Sequence, residues 1–297
     1  MRTPEARQEA TEGRRNEVKL ESAGRRVNCV GSGPVRSDGV KKRLGLENWR
    51  NVGRSRGVLD LPMPSGVLMF DVEKTQQLAQ LLSVGPEERT PQWTEKFQST
   101  VLDAALTAPE NQVVQGPDGF PYFILQFPPG GEPFTPFSVS HILEYCTEQG
   151  YGIVLEPGSN PPGWVFSYGS LWMLRARGTL LWDGPVGASV EQLEAGEERE
   201  IISGEPDEVL VPPWARAILR GYLQACGIET PMFSLVTYRM VQDTTRTPEW
   251  NLVFNIEPSN FEETEQLQGF LQHLSWFLPP YLAVLHAGDA ISARFVI

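Results

Sequence analysis

Apolar positions along this chain switch between two spacings, and each switch marks an element. Leu78, Leu81 and Leu82 share one helical face between Phe70 and Leu82, with Asp71 placed as the N-cap. Trp93, Phe97, Val101 and Leu102 follow at steps of three and four. They stand behind Thr90-Pro91, a cap residue followed by the proline that suits a first helical turn. Gln112 to Gln115 and Pro121 to Phe127 read as strands around Gly116-Pro117-Asp118-Gly119, a hairpin signal. Ser138 or Ser140 opens a helix that runs through Gln149 and stops at Gly150. Ile153 to Leu155 is then a strand, and a longer one is expected from Trp164 towards Leu174. That strand would place Trp164, Phe166, Tyr168 and Trp172 on one face, packed in a core or lining an aromatic groove.

The second half repeats the mixture. Pro212-Pro213 leads a helix carrying Trp214, Ile218, Leu219, Tyr222 and Leu223, which ends near Gly227. Strands are expected from about Phe233 to Met240 and from about Asn251 to Ile256. Ser259-Asn260-Phe261-Glu262 has capping-box spacing and predicts the start of a long helix with Phe261, Leu267, Phe270, Leu271, Leu274 and Phe277 on its apolar face. Pro279-Pro280 stops it, Tyr281 to Leu285 forms a strand, and Arg294 to Ile297 an edge strand. The fold class is therefore α+β: two mixed helix/sheet units packed as one body. The expected divisions are a disordered basic segment over 1–62, an α+β unit over 63–178, an acidic Gly-containing linker over 179–208 and a C-terminal α+β unit over 209–297.

Charge sharpens that division. Residues 1–62 hold 14 Lys and Arg against 8 Asp and Glu, while 63–297 hold 11 against 29, a net of −18. The basic segment has few apolar residues and no sustained period, so its ordering entropy has little to offset it. A disordered tail, a targeting peptide, or sequence translated upstream of the true start all fit it. Met63 and Met69, just ahead of the first clear helix, favour the last. Val30-Gly31-Ser32-Gly33-Pro34 lacks a preceding strand and has Arg36 where a dinucleotide loop needs glycine. The acidic body should repel phosphate backbones, which excludes sequence-independent nucleic-acid binding by it.

Candidate chemistry is sparse. Cys29, Cys146 and Cys226 form no C-x-x-C pair, which fits a reducing compartment and small buried side chains. His141, His273 and His286 form no H-x-x-x-H or H-E-x-x-H pattern. No phosphate-cradling glycine loop and no G-x-S-x-G elbow occur, and no carboxylate pair stands out by spacing. No apolar run is long enough for a transmembrane helix, and no apolar stretch follows the basic N-terminus as a secretory signal requires. A cytoplasmic location without membrane association is the expectation. Neither catalytic residues, metal ligands nor a cofactor are expected.

What remains is Gly152-Ile153-Val154-Leu155-Glu156-Pro157-Gly158-Ser159-Asn160-Pro161-Pro162-Gly163-Trp164. An apolar strand runs into a turn dense in Gly, Pro, Ser and Asn, where a scaffold holds binding residues stiffly. Glu156, Gly158, Ser159, Asn160 and Trp164 are the candidate ligand- or partner-binding residues, with Glu156 and Asn160 suited to fixing a polar group.

Leu102-Asp103-Ala104-Ala105-Leu106, the Gly119–Phe127 strand, Pro133-Phe134-Thr135-Pro136-Phe137-Ser138 and the Gly152–Ser159 run together resemble the SseB-like family, the enhanced serine sensitivity proteins of bacteria. The resemblance covers about residues 95–175, an N-terminal domain match. The later family segment has the form valine-leucine-asparagine-proline-glycine-serine, and Glu156 stands here in place of the asparagine. The resemblance implies an intracellular bacterial protein without established catalytic residues. The expected function is non-enzymatic binding of a protein partner or a small polar ligand. Two alternatives stand beside it: an acidic inhibitor or immunity-type protein for a basic target, and an enzyme of unrecognised type.

Overall fold

Helix caps written into the sequence set the elements of the first sheet. In the computed structural model Asp71 accepts from the Lys74 N–H at 3.1 Å and opens helix α1, Val72–Leu82. The Thr90 hydroxyl accepts from the Trp93 N–H at 3.2 Å and opens α2, Pro91–Val101. Strands β1, Val113–Gln115, and β2, Pro121–Leu125, pair antiparallel around Gly119, whose φ of +88° needs glycine. Ser138 caps α3, Val139–Gln149, which Gly150 ends at φ +75°. Strand β3, Gly152–Leu155, lies parallel to β2, and β4, Trp164–Phe166, runs antiparallel to β3. The sheet order is β1-β2-β3-β4.

The structure describes residues 71–130, 133–156, 158–159, 162–180, 182, 199–240, 250–256, 261, 263–286 and 293–297, all in one compact unit. For 199–201, 238–240 and 285–286 it describes the backbone alone.

The long strand expected from Trp164 to Leu174 is corrected. It ends at Phe166, and Tyr168–Arg177 forms helix α4. The Ser167 hydroxyl accepts from the Ser170 N–H at 3.2 Å and starts the helix. Apolar residues at 164, 166 and 168 fit a period of two, but 168, 171 and 172 belong to the helical period that takes over at the cap. The four aromatics therefore divide between two cores. Trp164 and Phe166 pack with Phe97, their ring centroids 4.6 and 6.2 Å from its own. Tyr168 and Trp172, both fully buried, turn the other way and meet Trp214.

The second sheet is built from β5, Arg199–Gly204; β6, Met232–Met240; β7, Trp250–Phe254; β8, Ala283–His286; and β9, Phe295–Val296. Its order is β5-β6-β7-β8, with β9 on β6, and β7 and β8 run parallel. Helix α5, Pro213–Ala225, precedes β6, and α6, Thr264–Ser275, connects β7 to β8. Residues 199–204 lie where the acidic composition gave no strand signal; they pair along β6 from Arg199 opposite Met240 to Gly204 opposite Leu235. Helix α6 starts behind Glu263 rather than at the expected capping box, of which Ser259, Asn260 and Glu262 lie outside the described residues.

Both halves share one order. Helix α2, hairpin β1-β2, helix α3 and parallel strand β3 recur as α5, β6-β7, α6 and β8. Side-chain alternation in β2 joins them: Phe123 and Leu125 enter a core with Leu78, Phe97, Val101 and Ile142. Tyr122 and Ile124 enter a second core with Tyr168, Leu219, Tyr222, Phe254 and Phe270. The second core draws on both sheets, so the two mixed units form one α+β body. Gly169 sits at the seam: its N–H donates to the Trp276 carbonyl at 3.0 Å, and a Cβ on it would lie 1.9 Å from the Leu278 carbonyl oxygen. The Trp276 ring stacks on Phe120 at 4.2 Å, and its Nε1–H donates to the Tyr122 hydroxyl at 2.9 Å.

Candidate functional site

The turn after β3 is pinned by the residue that begins it. Glu156 has φ +51°, the left-handed region that asparagine and glycine enter more readily than glutamate. Its N–H donates to the Leu125 carbonyl at 2.9 Å, continuing the parallel pairing of β2 and β3 by one rung. Its carboxylate accepts from the Phe127 N–H. Its carbonyl accepts twice from Ser159, from the N–H at 3.1 Å and the hydroxyl at 2.7 Å. One residue thus holds both the end of β2 and the tip of the turn. Gly158 and Ser159 are exposed at that tip. No atom of a described residue lies within 4 Å of a Cβ built on Gly158, whereas one on Gly163 would sit 3.2 Å from Leu82 Cδ1.

Trp164 closes the loop differently. It pairs with Leu155 in the β3–β4 ladder, and its ring lies 5.6 Å from Trp93. The Arg89 guanidinium carbon stands 4.6 Å from the Trp93 ring centroid and 5.3 Å from that of Trp164. Of the candidate residues, Glu156, Gly158 and Ser159 therefore form the turn, while Trp164 packs at its base beside α2. Asn160 lies outside the described residues. Arg89 carries no sequence signal for this role, because its contact with Trp164 is made only when β4 folds against α2.

The nucleophile and base types are placed elsewhere. Cys146 and Cys226 are buried free thiols; burial pushes Cys226 up to about 12 and Cys146 higher still, leaving both protonated at neutral pH. Cys29 lies outside the described residues. His141 stacks on Phe137 at 5.9 Å, and burial lowers its pKa from the ordinary value. His273 meets Phe120 edge-on at 5.5 Å. The Ser159 hydroxyl donates to the Glu156 carbonyl, and among the described residues no side-chain base accepts from it. Among the described residues no three His, Cys, Asp or Glu side chains gather where they could hold a metal ion, and no helix is long and apolar enough to cross a membrane. The arrangement offers a stiff exposed turn on a cationic, aromatic base.

No protein-family model, no curated protein and no solved structure matches the chain.

Proposed function

We propose that the chain is a non-enzymatic bacterial binding protein of SseB-like type, acting in the cytoplasm, whose 156–164 loop contacts a protein partner. The observation that carries this reading is the pinning of the loop by Glu156: a turn held by four hydrogen bonds loses little further entropy when a partner docks on it. Its exposed tip, Gly158 and Ser159, offers backbone and hydroxyl groups rather than a reactive side chain. The test is quantitative affinity capture from native extract with the full chain, as wild type and with Ser159 and Asn160 both replaced by alanine. The reading expects the variant to fold with an unchanged circular dichroism spectrum and to lose its partner. Undiminished capture by the folded variant would refute it.

A second reading draws on the net −18 of residues 63–297, which suits capture of a basic target. It is separated by salt: charge-driven capture weakens steeply between about 50 and 300 mM, where the Debye length shrinks, and loop-driven capture changes little.

A further inference from the structure

Arg89 is a charged group with an unusual set of neighbours. Of its five N–H donors, Nε donates to the Val84 carbonyl at 3.2 Å, and no other hydrogen bond to a described residue is made. The guanidinium lies over two indole rings, Trp93 and Trp164, which fix it by cation–π attraction and shed water from its faces. Partial burial lowers its pKa from the ordinary value, and Glu87 opposes that without forming an ion pair. Three other cations are answered by carboxylates: Lys74 by Asp103 at 2.6 Å, Arg175 by Glu144 at 2.9 Å, Arg216 by Glu205 at 3.8 Å.

A guanidinium placed over two rings, whose terminal NH₂ groups make no hydrogen bond to a described residue, retains the donors for two-point recognition of an oxyanion. The rings beside it favour an apolar neighbour for that oxyanion, and the acidic body disfavours a second negative charge. We infer that Arg89, on the Trp93–Trp164 shelf, binds a single carboxylate carried next to an apolar side chain, as where one Asp or Glu stands in an apolar peptide segment of the partner. This deepens the binding reading of the adjoining loop and rests on it.

The probe is N-acetyl-phenylalanine, with its uncharged amide and inorganic phosphate as comparisons, titrated into the full ¹⁵N-labelled chain. The carboxylate should shift the Arg89 Nε and Trp164 Nε1 resonances saturably. The amide should not, and phosphate should bind at least about tenfold more weakly. Arg89→Gln should abolish the shifts with the remaining spectrum unchanged. Arg89→Lys, which keeps the charge but loses the fork, should weaken them by about tenfold. Equal shifts with the amide, tighter binding of phosphate, or shifts that persist in Arg89→Gln would each overturn the inference. Partner capture lost in the Ser159/Asn160 variant but retained in Arg89→Gln would overturn it while leaving the loop's role standing.

Discussion

The Glu156 carboxylate accepts from the N–H of Phe127, two residues past the end of β2. A side chain thereby supplies the rung that the backbone ladder of β2 and β3 no longer provides, and it does so from a residue held at φ +51°. Strain at that residue and order in the loop are two sides of one arrangement.

Replacing Glu156 separates those terms. Glu156→Ala leaves the Phe127 N–H without its charged acceptor and should cost about 1–3 kcal/mol in urea unfolding. Glu156→Gly removes the same bond but relieves the backbone, so it should cost less than Glu156→Ala by about 0.5–1 kcal/mol. Glycine proving worse than alanine would show that the left-handed backbone carries no strain.

The seam at Gly169 should not tolerate a side chain. A Cβ there would meet the Leu278 carbonyl oxygen at 1.9 Å, a backbone atom that cannot rotate away. Gly169→Ala is expected to lower stability by about 3 kcal/mol or more. Both halves share the second core, so calorimetry should show one lowered transition. An unchanged midpoint would contradict the seam geometry.

Tyr122 links the hairpin to the second half, donating to Asp118 Oδ2 at 2.5 Å and accepting from Trp276 Nε1. Tyr122→Phe strands the indole N–H and should cost about 1–3 kcal/mol. Burial raises the phenol's pKa above the ordinary 10.0, with Asp118 adding to the shift. The folded state therefore keeps a proton that the unfolded chain releases above about pH 10, and stability falls as pH rises past that point. The fall should be shallower in Tyr122→Phe. An identical slope would place the alkaline sensitivity elsewhere.

His141 acts at the other end of the scale. Burial holds its imidazole below the ordinary 6.5, so the unfolded chain takes up more protons below that pH. Stability should fall as pH drops through about 6.5. His141→Asn should reduce that fall, measured as unfolding midpoint against pH from 7.5 to 5. A variant as acid-sensitive as wild type would exclude His141 as its source.

The local signals in the sequence were legible where one residue both starts an element and satisfies its backbone. Asp71 and Thr90 are readable as caps, and Gly150 as a stop, because each answers a need within its own turn, whereas the sequence leaves Ser138 and Ser140 both open and the structure gives the cap to Ser138. Trp164 to Leu174 misread because three residues of strand and the first turn of a helix share apolar positions, and the deciding bond is a single Ser167 cap. Strand β5 stayed hidden because its partner β6 lies beyond a whole helix, and its two apolar residues, Ile201 and Ile202, are adjacent rather than alternating. The loop was visible as composition, but the double hold of Glu156 on Phe127 and Ser159 was not. Arg89 was silent, since indole rings from α2 and β4 make its surroundings.

The most direct test is hydrogen exchange on the full chain with and without its captured partner. Peptides spanning 156–164, together with those from Val84 to Trp93, should become protected on binding while the second sheet stays as it was. Protection confined to the acidic 191–208 stretch, with none at the loop, would contradict a loop-borne interface and transfer the function to the charged surface.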